Sequence, residues 1–116
     1  MNTRIVDDVA IVNSEETIIK DAISAVDFVM ETKNKTNCHK IALNKSAIIE
    51  DFFILSSGLA GEILQKFINY GIKLAIYGDY SKYTSKPLKD FIYESNQGKD
   101  TFFVATEHEA IEILNK

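Results

Sequence analysis

Phe53-Ile-Leu-Ser-Ser-Gly-Leu-Ala-Gly-Glu-Ile-Leu-Gln-Lys-Phe-Ile-Asn-Tyr70 decides how this chain folds. Ser56 and Ser57 stand before Gly58, and Leu59, Ile63, Phe67 and Ile68 then recur at the spacing of one helical face. Gly71 ends the run, and Ile72-Lys-Leu-Ala-Ile-Tyr77 follows at once as an apolar strand. A helix that opens on small hydroxyls, stops at glycine and leads directly into a strand is half of an α/β unit.

Working outward, Gly78-Asp-Tyr-Ser-Lys-Tyr-Thr84 reads as a loop, and Ser85-Lys-Pro-Leu88 opens another helix. Pro87, the only proline, lies in the first turn, where a missing N–H costs nothing. Leu88, Phe91 and Ile92 face inward until Ser95-Asn-Gln-Gly98 ends that helix. Thr101 to Ala105 is the last strand. Thr106-Glu-His-Glu109 has the capping-box spacing, and Ala110, Ile111, Ile113 and Leu114 give the final helix its buried side. Upstream, Arg4 to Asn13 reads as two strands around an Asp7-Asp8 turn. Ser14 is placed as the cap of a helix that buries Ile19, Ala22, Ile23, Val26 and Met30. Lys40 to Asn44 is a strand, and Lys45 to Asp51 is a helical turn or an irregular link with Phe52 and Phe53 tucked inward.

The resulting order is β-β-α-β-α-β-α-β-α. It predicts an α/β sandwich over residues 1–116 as one domain, with a mixed, mostly parallel sheet and an N-terminal antiparallel strand pair. Its 116 residues, 46% apolar and 26% charged, are ordinary globular composition. The longest apolar runs fall far short of the roughly 20 residues that span a bilayer, so no membrane association is expected. The first residues lack a signal-peptide pattern, and a single cysteine, Cys38, suits a reducing compartment; a cytoplasmic location is the expectation.

Charge is uneven. Residues 1–31 hold seven acids against two bases, residues 32–105 ten lysines against seven acids, and residues 106–116 three acids against one lysine. With a net charge of −4, nucleic acid is not an expected partner.

Ligands of open α/β sheets bind beyond the carboxyl ends of the strands. Those ends are Asn44-Lys45, Gly78 to Ser81, and Thr106 to His108, and the Ser57 helix start is expected at the same end. The candidate binding residues are therefore Ser56, Ser57, Gly58, Gly78, Asp79, Tyr80 and Ser81, with Lys82 and Lys86 in reach. Small hydroxyls and free helix amides suit an anion. Plainer roles compete: Ser57 as a cap, Asp79 as the cap of its own loop, and tyrosines 77, 80 and 83 as loop anchors. No residue set points to catalysis. Cys38 and His39 are adjacent without a matched base, no metal-ligand spacing occurs, and there is no phosphate-binding loop or dinucleotide fingerprint, so no cofactor is expected.

Gly58 to Phe67, Lys73 to Asp79 and Leu88 to Asn96 resemble the signature segments of the bacterial domain of unknown function 4180, which brings no established activity. The element order and Ser56-Ser-Gly-Leu59 resemble the STAS domain of anti-sigma factor antagonists, where Asp-Ser-Ser-Gly-Leu opens a helix and one serine is phosphorylated by a partner kinase. That resemblance implies Ser56 as phosphoacceptor; Leu55 stands where the family has aspartate. The reading that results is a non-catalytic regulatory module that binds a protein partner or forms a homodimer, with a small anionic ligand as a further expectation. The alternative is an enzyme-like domain acting on a small molecule at the Ser57/Asp79 edge.

Overall fold

A computed structural model describes residues 1–116. Strand β1 (Asn2–Val6) turns into β2 (Val9–Asn13) through Asp7 and Asp8, whose φ values of 50° and 66° are both left-handed. That is the type I′ geometry, whose twist matches the flanking strands, and aspartate tolerates it better than most residues. Next come α1 (Ala22–Thr36), β3 (Lys40–Asn44), three short 3₁₀ turns between Lys45 and Ser57, and α2 (Leu59–Asn69). Then follow β4 (Lys73–Tyr77), α3 (Lys86–Gln97), β5 (Thr101–Val104) and α4 (Glu107–Leu114). The strands lie in one sheet in chain order, β1-β2-β3-β4-β5. Only β1 is antiparallel to its neighbour. The mixed, mostly parallel α/β fold expected from the sequence is the fold observed.

The first helix departs from expectation. It starts at Ala22 rather than directly after Ser14, and Asp21 caps it: the Ser24 N–H donates to Asp21 Oδ1 at 2.8 Å while the Asp21 N–H donates to Ser24 Oγ at 3.0 Å. Long-range pairing holds the preceding segment out of the helix. The Ile18 and Ile19 N–H groups both donate to Ala47 O, and the Ile49 N–H donates to Ile19 O. The buried face shifts accordingly to Ala25, Phe28, Val29 and Thr32, leaving Ile23 75% and Met30 45% exposed.

Two cores sandwich the sheet. The larger lies under α1, α2, α3 and the 3₁₀ turns and includes Ile41, Leu43, Phe52, Phe67, Leu74 and Ile76. The smaller, Val9, Ile11, Ala42, Ala75 and Phe102, is covered by Ala110 and Leu114 of α4 alone. Local signals held for the starts of α3 and α4: Ser85 Oγ accepts from the Leu88 N–H and Thr106 Oγ1 from the Glu109 N–H, although Glu109 does not return the second bond of the expected capping box.

The two sheet edges are finished differently. On β5 the Asn96 side chain of α3 takes up both backbone groups of Phe103, accepting its N–H at 2.7 Å and donating to its carbonyl at 3.0 Å. The β1 edge has no such cover.

Candidate functional site

At the carboxyl ends of β2, β3 and β4 lies an open depression of about 450 Å³, lined by Asn13, Ser14, Asn44, Lys45, Tyr77, Gly78 and Asp79 among others. Its floor is polar because the strands separate there and side chains replace backbone rungs. Buried Asn44 accepts the Ser14 N–H at 2.8 Å and donates to the Ser14 carbonyl at 2.7 Å. The amide thus extends the β2–β3 pairing by one rung. Asn13, at the end of β2, donates to the Tyr77 hydroxyl of β4 at 3.0 Å, across the end of β3.

Lys45 closes one side. Its side chain, 15% exposed, passes directly over Gly78: a Cβ built at 78 would sit 2.6 Å from Lys45 Cβ. Only glycine permits that crossing. The ammonium then lies 4.8 Å from the Tyr83 ring centroid, 5.1 Å from that of Phe53, and 3.8 Å from Glu50 Oε1. Burial pushes its pKa below the usual lysine value, against the pull of Glu50.

Glu50 is the hub of this cluster. It accepts the Tyr83 hydroxyl at 2.6 Å and Lys82 Nζ at 3.3 Å. Burial opposes its ionisation, but the Tyr83 hydrogen bond and the two lysines outweigh it and hold the carboxyl below its usual value. Burial, then the Glu50 hydrogen bond, raises the Tyr83 phenol well above its usual value, and burial does the same for Tyr80. Tyr83 stacks on Phe53 at 5.0 Å, Tyr80 packs edge-on against Phe103 at 5.8 Å, and the Tyr80 hydroxyl donates to the Ile76 carbonyl. The loop after β4 is therefore pinned at both tyrosines. This cluster escaped the sequence reading: Lys45 and Glu50 lie on consecutive short turns with no regular spacing, Tyr83 is more than thirty residues further on, and only the Tyr80/Tyr83 spacing hinted at it.

Of the candidate residues, Gly78 and Asp79 line the depression. Asp79 is exposed and accepts the Ser81 N–H at 2.9 Å, which holds its carboxyl below the usual value and organises the loop. Tyr80 joins Gly78 and Asp79 in lining a second open depression, of about 610 Å³, beside the end of β5, and with Ser81 it borders a third, of about 480 Å³, against α3. Ser56, Ser57 and Gly58 line none of the three. They form an exposed 3₁₀ turn leading into α2, joined to the loop only through the Glu50–Phe53 turn. There Ser57 Oγ donates to the Asp51 carbonyl at 2.9 Å and accepts the Leu59 N–H at 3.2 Å. Gly58, at φ 78° and ψ −6°, is the N-cap of α2 and needs glycine for its backbone rather than for space. Ser56 is exposed and its hydroxyl bonds to no other group of the chain. Lys86 pairs with Asp90 at 2.6 Å on α3. No cluster of three or more His, Cys, Asp or Glu side chains is placed to hold a metal, and no helix is long and apolar enough to cross a membrane.

Comparisons with known proteins agree with this architecture. The profile of a family described as "Domain of unknown function (DUF4180)" matches residues 6–114. No curated protein sequence matches the chain. Among solved structures, that of a candidate anti-sigma factor antagonist from Thermotoga maritima is similar, with a TM-score of 0.51 and 21% identity. The match covers 99% of this chain and 94% of that one, and it is a likeness of fold.

Proposed function

We propose that this chain, which belongs to the DUF4180 family, is a regulatory module that works by binding another protein at the start of α2 and the loop after β4. The observation that carries the reading is the state of the two serines. Ser57 is engaged on both sides by its own turn, while Ser56 is exposed with a free hydroxyl, two residues before left-handed Gly58. The structural neighbour is a candidate antagonist of an anti-sigma factor, a role defined by acting on another protein. A phosphate on Ser56 would meet the positive end of α2, so modification there would alter both charge and shape at the surface. The expected location is the cytoplasm.

Capture of partners from the native cytoplasm by the tagged full chain tests this, with intact mass taken on the recovered protein. A partner retained by Lys33→Arg and lost by Ser56→Arg supports the reading, as does an added phosphate mapped to Ser56. Equal retention by Ser56→Arg would move the surface elsewhere.

A second reading has its own support. Lys45 and the Tyr77 hydroxyl border the depression that contains Asp79, so a small anionic molecule could bind there. Ligand-induced shifts at Gly78 and Asp79 amides, with none at Ser56, would favour it.

A further inference from the structure

We propose that the depression at the ends of β2, β3 and β4 is a site for a small neutral polyhydroxy molecule, of the sugar or cyclic polyol class. This goes beyond both readings above: it does not depend on the function of the α2 start, and it names a ligand other than an anion. At about 450 Å³ the depression falls within the size range of small-molecule sites.

Two hydroxyls border it with their protons uncommitted. Asn44 Oδ1 accepts the Ser14 N–H, which turns the amide nitrogen toward the Ser14 carbonyl and, at 2.6 Å, toward Ser46 Oγ. Ser46 therefore accepts, and its own O–H donates to no group of the chain. The Tyr77 hydroxyl likewise accepts from Asn13 and donates to nothing in the chain. Acceptors stand beside these donors. Glu15 and Asp79 also line the depression and enter no salt bridge, and Asp79 gives one oxygen to the Ser81 N–H. Each carboxylate follows its strand by two residues, and the two strands, β2 and β4, lie on either side of β3, about 10 Å apart.

Charge decides the class of ligand. Lys45, the one base in the lining, turns its ammonium away to Phe53, Tyr83 and Glu50, none of which borders the depression. An anion would meet two carboxylates there with no ammonium turned toward it. A simple cation would satisfy the carboxylates but leave both hydroxyl protons unused. A polyol hydroxyl donates and accepts at once, so it can receive the Ser46 and Tyr77 protons and donate its own to Glu15 and Asp79. Tyr77 supplies the only ring in the lining, an apolar surface for the C–H groups that a sugar carries between its hydroxyls.

Titration of the full, isotopically labelled chain with D-glucose, D-mannose and D-ribose, read from amide shifts, tests this. At least one sugar should give saturable shifts at Ser46, Gly78 and Asp79 with none at Ser56. Its dissociation constant should not change with salt, because the ligand is neutral. Ser46→Ala, at an exposed position, should weaken binding about fivefold. Asp79→Asn keeps a carbonyl oxygen for the Ser81 N–H and should also weaken sugar binding, whereas loss of that charge would strengthen binding of an anion. Inorganic phosphate and acetate are titrated in parallel. Saturation by either, with no response to the sugars, would overturn the proposal in favour of an anion. Absence of saturable shifts with every probe would overturn it outright, as would sugar binding that both variants leave unchanged.

Discussion

Replacing Gly78 by alanine tests the Lys45 crossing directly. The new methyl carbon would lie 2.6 Å from Lys45 Cβ and 3.3 Å from its Cδ. Since Lys45 Cβ is fixed to the backbone at the end of β3, the side chain cannot swing away, and strand end or loop must shift. Overpacking of this kind costs about 1–3 kcal/mol. For a chain of this length that is a fall in Tm of about 4 °C per kcal/mol. Urea unfolding followed by circular dichroism reads it as a lower midpoint at constant slope. The decisive comparison is a double-mutant cycle. In a Lys45→Ala background the Cβ remains, so most of the alanine penalty should persist. In a Lys45→Gly background the Cβ is gone, so the penalty should disappear. A neutral Gly78→Ala, or an equal penalty in the Lys45→Gly background, would refute the crossing as the reason for glycine.

Gly58→Ala meets no atom but must hold φ at 78°, so it should cost about 1–2 kcal/mol by the same assay, and Gly58→Asn less. Asn44→Ala leaves the buried Ser14 N–H without its partner and should cost about 1–3 kcal/mol, with faster exchange of the Ser14 amide. Absorbance titration should show Tyr77, Tyr80 and Tyr83 ionising above the ordinary tyrosine value of 10.0. Their folded pKa values are raised, so the stability they contribute is complete below that value and is lost as pH rises toward the folded ones. Unfolding midpoints measured above pH 10 should therefore fall, and fall less in Tyr83→Phe.

What could be read from the sequence was whatever is decided locally. Asp7-Asp8, Ser85 with Pro87, and Thr106 with Glu109 each fix a turn or cap within four residues, and each lies where expected. Ser14 misled because a serine before two glutamates satisfies the capping rule, yet Asn44 and Ala47 compete for that segment through hydrogen bonds no local pattern reveals. Ile23 and Met30 fit a helical stripe, but a slightly different stripe is the one buried, since Phe28 and Val29 reach the core and neighbouring α2. Gly78 and Asp79, expected from the rule of strand ends, line the depression. Lys45 was noticed only as a strand end, because irregular 3₁₀ turns fold Glu50 back to it and tertiary folding brings Tyr83.

The order of strands in the sheet has a consequence for synthesis. Since each strand lies beside its predecessor, a growing chain can extend the sheet one strand at a time as residues emerge, without waiting to insert a later strand between earlier ones. The two faces mature at different moments. Helices α1 and α2 clothe one face early, but Val9, Ile11, Ala42, Ala75 and Phe102 stay bare until α4 arrives. A chain truncated before Thr106 would display that apolar face to solvent, and the eight residues of α4 are what cover it.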